Sequence, residues 1–235
     1  MLAALGWGTL ASASLVIGAV LGLARDWKSA FVGAVLGFGA GALISSVAFE
    51  LAEEGIKVGG LVAVAAGLWI GALAFFLLNK GVVRMGGRSG GASSGLPLAV
   101  GALLDGIPEQ AVLGIGLAGG EGLSVALLVA VFISNLPEAI GSASDMAGAG
   151  KSRRSVILLW TAVAGVCALA TLGGYVLADV AGPRFHAGIN GFAAGALLVM
   201  LVDSMIPEAH EKVKDWAGLA TVLGFALAAG LSALS

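Results

Sequence analysis

The segment FVGAVLGFGAGALISSVAFELA, from Phe31 to Ala52, decides the fold, because Glu50 is the only charged side chain in its whole length. An α-helix needs about 20 predominantly apolar residues to cross the hydrocarbon core of a bilayer. A strand in a membrane barrel would instead show short segments of alternating polarity. The segment therefore predicts a transmembrane helix.

The composition of the whole chain is typical of a polytopic membrane protein. Its 235 residues are 59% hydrophobic and 11% charged, with a net charge of -2 and a mean hydropathy of +1.04. A soluble domain has about 25% charged residues. The 12 Lys and Arg residues are scattered, so no nucleic-acid partner is expected. A single Cys excludes a disulfide scaffold.

Eight apolar segments, separated by Gly, Pro and charge clusters, predict an all-α fold in one transmembrane domain of residues 1–235. The connection 79–95 is rich in Gly and Ser and predicts a flexible cytoplasmic loop. The first span has no Lys or Arg before Arg25, which favours a mature helix over a signal peptide. The predicted spans are 5–24, 31–52, 57–78, 96–119, 123–147, 155–178, 188–207 and 216–234.

The cations are distributed unevenly between the two sides of these spans. Lys57 and Arg184 are the only ones in the connections after spans two, four and six, and the other ten follow spans one, three, five and seven. Because Lys and Arg near span ends are retained in the cytoplasm, both termini are predicted to lie outside. We expect an integral protein of the cell (inner) membrane.

The sequence contains an internal repeat. GFGAGALI, from Gly37 to Ile44, matches GFAAGALL, from Gly191 to Leu198, and acidic segments follow both (FELAEE and SMIPEAHE). By the loop count, spans two and seven run in opposite directions. This predicts an inverted repeat of spans 1–3 and 6–8, as found in transporters. The alternative is that small-residue helix seams recur by chance in a Gly-rich membrane protein.

Two polar motifs lie near the middle of spans four and five. LLDGIPEQAVLG places Asp105 and Glu109 on one helical face, and ISNLPEAIGS places Ser134 and Asn135 on the face of Glu138. A carboxylate at that depth costs at least about 2.5 kcal/mol unless it has a partner. The body of every span lacks Lys and Arg. A metal cation is the simplest partner for these acids.

Each glutamate directly follows a proline, Pro108 or Pro137. Proline has no N–H, so the carbonyls of Leu104 and Ile133 lose their helical hydrogen bonds. Freed backbone oxygens beside carboxylates favour an oxygen-lined cation site. Alternatively, the prolines merely shape the bundle, as they often do in membrane helices.

These motifs resemble those of the ZIP family of divalent metal transporters. DGIPEQ, SNLPEA and the MLVDSMIPEA of span seven carry the resemblance, which extends over essentially the whole chain. It implies a bundle of three, two and three spans that takes up zinc, iron or manganese toward the cytoplasm, often as a homodimer. The metal is then the substrate, lipid surrounds the bundle, and no organic cofactor is expected.

In the family, the fourth span usually reads His-Asn-x-Pro-Glu-Gly and the fifth His-Glu-x-Pro-Glu-Gly. By position, Asp105 and Gly106 stand at the first His-Asn, and Ser134 and Asn135 stand at the His-Glu. The glutamate that follows the proline is retained in both motifs, as Glu109 and Glu138. The resemblance thus implies metal ligands at Asp105, Glu109, Asn135, Glu138 and, more weakly, Ser134.

The lost histidines leave a set of oxygen donors. Such donors suit Mn, Mg and Ca and tolerate Fe(II) and Zn. Gly106 and Asn135 also weaken an adjacent second metal position, so we expect one metal rather than a binuclear pair.

Further acids flank this predicted site. At the outer end of span two, Glu50, Glu53 and Glu54 form either a vestibule for cations or a solvated helix end. At the inner end of span seven, an exit site is predicted from Asp203, Glu208, His210 and Glu211.

Two other functions use similar residues. A cation/proton exchanger of another fold would also need acids inside the membrane. An intramembrane hydrolase would need a cationic clamp for an anionic substrate, which the span bodies lack. We therefore predict a transporter and not an enzyme.

Overall fold

The computed structural model describes residues 1–25, 27–84, 95–118, 125–179 and 182–233, and all regular structure in these ranges is helical. The all-α prediction is confirmed. The helices are α1 (Leu2–Ala24), α2 (Ser29–Ser46), a first π-helix (Val47–Glu53), α3 (Glu54–Gly59), α4 (Leu61–Arg84), α5 (Gly95–Ala118), α6 (Val125–Gly148), α7 (Arg153–Asp179), α8 (Pro183–Met200), a second π-helix (Leu201–Met205), α9 (Ile206–Val213) and α10 (Trp216–Ser232).

Six helical stretches in the described ranges are long and apolar enough to cross a membrane, so the chain is a polytopic membrane protein. The helix α10 is apolar but shorter, and α5, which carries Asp105 and Glu109, is not among the six. The eight-span count therefore stays a prediction. The six stretches are Leu2–Ala24, Ser29–Gly59, Leu61–Gly81, Leu127–Gly148, Arg153–Ala178 and Pro183–Val213.

The second and third helical stretches meet at a glycine turn. Lys57, placed at the start of span three by the sequence, lies in α3, and α4 begins at Leu61. Gly60 between them has φ +91°, a conformation that residues with a side chain rarely adopt. The chain therefore turns at Gly60, and α4 begins four residues after the predicted start of span three.

The helix α4 extends into the predicted cytoplasmic loop 79–95. Asn79 to Arg84 are helical, and residues 85–94 lie outside the described ranges. Asn79 is 8% exposed, and its Nδ2 donates to Asp203 Oδ2 at 3.4 Å. The predicted third span ends at residue 78, just before this polar residue. In the structure, the Asn79 amide is buried in a contact between helices.

The sequence repeat is also a repeat of structure. Each copy is an α-helix, a π-helix and a short α-helix, and the π-helices begin at Val47 and Leu201, which are equivalent positions of the repeat. Pro207 follows the second π-helix, but Glu53 occupies its equivalent position in the first. Proline is therefore not the common cause of the two π-helices. Such segments are rare and occur often at functional sites.

Equivalent glycines let each repeat helix pack closely on a partner. A methyl group at Gly41 of α2 would collide with the carbonyl oxygen of Thr221 in α10, and one at Gly195 of α8 would collide with that of Leu68 in α4. The helix pairs α2–α10 and α8–α4 thus share the same backbone-to-glycine contact, as expected for small residues at membrane helix interfaces.

The two helices with the polar motifs are supported in the same way. Gly22 of α1 lies against the carbonyl of Ile140 in α6, and Gly114 of α5 lies against the carbonyl of Thr171 in α7. A side chain at either glycine would force the helices apart. Close packing on α1 and α7 therefore fixes the positions of α6 and α5.

Candidate metal centre

A hydrogen bond joins the two polar motifs. Ser134 Oγ of α6 lies 3.2 Å from both carboxylate oxygens of Glu109 in α5, and 3.0 Å from the carbonyl oxygen of Val131. Glu109 is 3% exposed and Ser134 is 2% exposed. The two sequence motifs thus meet in the interior of the protein.

The other two acids lie near this contact. Asp105 is buried one turn before Glu109, and the two carboxylates interact electrostatically. Glu138 is half-buried one turn after Ser134. In the described ranges, no three His, Cys, Asp or Glu side chains form a complete metal-binding group. A bound metal would therefore have to draw the acids closer together.

Asn135 is the most unusual polar residue of the site. It is 1% exposed, and its Oδ1 and Nδ2 have no hydrogen-bond partner within the described part of the chain. Buried polar atoms nearly always have a partner, so such an exception requires a specific explanation. The oxygen of its amide can serve as a ligand for a hard or borderline cation.

The prolines lie inside their helices, as the sequence indicated. Pro108 is within α5 and Pro137 is within α6. Neither can donate a backbone hydrogen bond to the carbonyl four residues earlier, at Leu104 or Ile133. The carbonyl oxygens of Leu104 and Ile133 therefore receive no hydrogen bond from the residue four positions later.

The structure brings two further elements to the site that sequence reasoning missed. Gly39 of the repeat packs on Ser134, since a methyl group there would lie 3.0 Å from Ser134 Cα. Met205 Cε of the second π-helix lies at the same distance from that methyl position. The repeat motif and the polar motifs, analysed separately in the sequence, therefore meet at Ser134.

Gln110 forms a polar contact beside Glu109. Thr171 Oγ1 of α7 donates to Gln110 Oε1 at 2.8 Å, and both residues are fully buried. This hydrogen bond fixes α5 against α7 beside the site. The only signal in the sequence is that Gln110 directly follows the Pro-Glu pair.

The outer acids belong at least partly to a solvated helix end. Glu53 forms an ion pair with Lys57 at 2.9 Å, and both side chains are half exposed or more. Glu50 lies in the first π-helix and is half-buried. The sequence left open whether these acids form a vestibule, and that stays a prediction.

The inner acids have separate partners. Asp203 accepts from Asn79, while Glu208 pairs with Lys212 at 3.5 Å. His210 and Glu211 are exposed. An exit site made of all four residues would need Glu208 to exchange Lys212 for the metal.

No family model matches the chain. Over 214 residues it is 28% identical to the Arabidopsis thaliana protein named Putative zinc transporter At3g08650, an alignment that covers 87% of this chain and 34% of that protein. Over 118 residues it is 30% identical to Zinc transporter SLC39A7 of Mus musculus and 28% identical to that of Homo sapiens, covering 48% of this chain and 25% of each relative. The chain is thus similar to proteins named zinc transporters, in agreement with the resemblance of its motifs to the ZIP family.

The chain spans only 34% of the plant protein and 25% of the mammalian ones. Both relatives are named zinc transporters. The recognition made from the sequence motifs is confirmed, whereas the transport activity of this chain and its metal are proposals.

Proposed function

We propose that this protein carries a divalent metal ion across the membrane through a site between α5 and α6. The observation that carries the proposal is the buried contact of Ser134 with Glu109, beside an Asn135 whose amide atoms lack a partner in the described ranges. A cation bound there would be coordinated by the oxygens of Glu109 and Asn135 together.

A cation would match the acidic character of α5 and α6. Neither α5 nor α6 contains a Lys or Arg. Asp105 and Glu109 therefore bring negative charge into a buried place without a basic residue on either helix. A divalent ion would offset the repulsion between these carboxylates, and it would draw Glu138 and Asn135 toward the same point.

Zinc is the first metal to test, because the relatives are named zinc transporters. Iron and manganese are the alternatives, since oxygen donors bind both. We expect transport toward the cytoplasm, on the side that holds the ten Lys and Arg residues. The inverted direction of the two repeat copies supports a mechanism in which they rock about the site.

The experiment uses the purified protein in liposomes with external zinc. Glu109→Gln keeps the shape of the side chain and removes its charge, so uptake should fall by about tenfold or more. The control is Asp215→Asn, which removes a carboxylate from the exposed turn before α10. Parental uptake by folded Glu109→Gln protein would refute the site.

The same liposomes separate the alternative functions. Metal uptake that requires an opposing pH gradient would identify a cation/proton exchanger. Glu109-dependent uptake without such a gradient supports the proposal as stated.

A further inference from the structure

Glu109 and Gln110 are consecutive residues of α5 that form hydrogen bonds to two different helices. Ser134 Oγ of α6 lies 3.2 Å from both carboxylate oxygens of Glu109, and Thr171 Oγ1 of α7 donates to Gln110 Oε1 at 2.8 Å. Consecutive side chains of an α-helix point about 100° apart around the helix axis. Rotation of α5 about its axis would therefore break at least one of these hydrogen bonds.

The contact with α7 lies where α5 needs support. Pro108 is inside α5 and has no N–H, so the helical hydrogen bond to the carbonyl of Leu104 is missing at this point. Helices bend most readily at such a break. Thr171 holds the turn that follows it, because its hydroxyl bonds Gln110 and its carbonyl oxygen lies against Gly114, where a methyl group would collide with it.

Thr171 is itself held between helices. It is fully buried, and a methyl group at Gly8 of α1 would lie 2.7 Å from both its Cβ and its Oγ1. Before the proline, a methyl group at Gly106 would lie 2.8 Å from the Sγ of Cys167, one turn before Thr171 on α7. The helix α7 therefore contacts α5 on both sides of the proline, and α1 packs against the same threonine.

We propose that Thr171 and Gln110 are positioning residues of the metal centre, because their hydrogen bond sets the orientation of the Glu109 carboxylate toward α6. This inference rests on the proposed function. Neither side chain is a metal ligand in it, and both act through Glu109. In the motif that α5 resembles, a glycine follows the glutamate, whereas this chain has Gln110 at that position. The contact is thus a feature of this chain and not of the motif.

The alternative is a contact that only stabilises the fold. Loss of the Thr171 hydroxyl would leave Gln110 Oε1 buried without its donor, beside an Nε2 that has no partner in the described ranges. An unsatisfied buried polar atom destabilises a protein. A purely structural role therefore predicts a lower unfolding temperature and an unchanged zinc affinity of the folded protein.

Two substitutions separate these roles, since the Thr171 side chain carries one hydroxyl and one methyl group. Thr171→Val keeps the branched shape and removes the hydroxyl, whereas Thr171→Ser keeps the hydroxyl and removes the methyl group. Calorimetry with zinc on the purified full chain should give an about tenfold higher Kd for Thr171→Val, the low end of the effect of residues that hold metal ligands in place. Thr171→Ser should keep a near-parental Kd, even where the lost methyl group lowers its unfolding temperature.

The matched control is Thr161→Val on the same helix. Thr161 is exposed and its hydroxyl bonds the carbonyl oxygen of Ile157 within α7 at 2.8 Å, so the Kd should stay parental. An unchanged Kd in folded Thr171→Val, or an equally raised Kd in Thr171→Ser, would overturn the inference.

Zinc uptake by the same proteins in liposomes separates this inference from the proposed function. If uptake depends on Glu109 while Thr171→Val binds zinc as the parent does, the inference alone fails. Uptake that does not depend on Glu109 would overturn the proposed function and the inference with it.

Discussion

Ser134 on α6 and Glu109 on α5 are joined by a side-chain hydrogen bond, with Oγ 3.2 Å from each carboxylate oxygen. Both residues are buried. A hydrogen bond to a charged group contributes about 1.5–3 kcal/mol. The hydroxyl therefore fixes the orientation of the carboxylate that a metal would approach.

Ser134→Ala should weaken zinc binding, because the Glu109 carboxylate loses its orienting donor. A loss of about 1.5 kcal/mol corresponds to a roughly tenfold higher Kd. Calorimetry on the purified protein measures this change. The control is Ser144→Ala on the same helix, which should leave the Kd unchanged. An unchanged Kd in Ser134→Ala would show that the hydroxyl does not orient the carboxylate.

Gly41→Ala and Gly195→Ala should destabilise the protein to a similar extent, since each methyl group collides with a backbone carbonyl at equivalent repeat positions. Overpacking of this kind costs about 1–3 kcal/mol. Thermal unfolding in detergent measures the loss. Gly218→Ala on α10 is the control, because a methyl group at this position meets open space. If only one of the two variants were destabilised, the repeat contacts would not be equivalent in energy.

The sequence predicted the helical membrane fold and the internal repeat well, because apolar runs and matched glycines are local patterns. The helix that carries the predicted third span continues past Asn79, whose amide donates to Asp203, a residue distant in the chain. The two π-helices were missed because no residue type marks their start. At the site, the Pro-Glu pairs identified Glu109 and Glu138, but the position of Cys167 depends on how α7 packs against Gly106.

Zinc binding should weaken as the pH is lowered, because a carboxylate or thiol must lose its proton before it binds a metal. The affinity should fall by about tenfold per pH unit for each proton released. Calorimetry in buffers of different ionisation enthalpy counts these protons. Binding heats at near-neutral pH that do not depend on the buffer would mean that the ligands are already deprotonated without metal.

Asp105→His should raise zinc or cadmium uptake relative to manganese. Asp105 is buried and interacts with Glu109, so a side chain at position 105 meets the same ion. The exchange of a carboxylate for an imidazole replaces a hard oxygen with a borderline nitrogen, which favours zinc and cadmium over manganese. The informative quantity is the change in ratio, since the intrinsic affinity of most sites is already higher for zinc than for manganese.

The Asp105→His ratio is measured in the same liposomes with zinc, cadmium and manganese supplied in turn. Asp105→Asn is the matched control, because it removes the charge and keeps an oxygen donor at the same distance from the backbone. We expect a raised zinc-to-manganese ratio in Asp105→His and a smaller change in Asp105→Asn. An unchanged or reversed ratio in a folded Asp105→His protein would mean that position 105 is not a direct ligand. The metal would then be held by Glu109, Glu138, Asn135 and backbone oxygens.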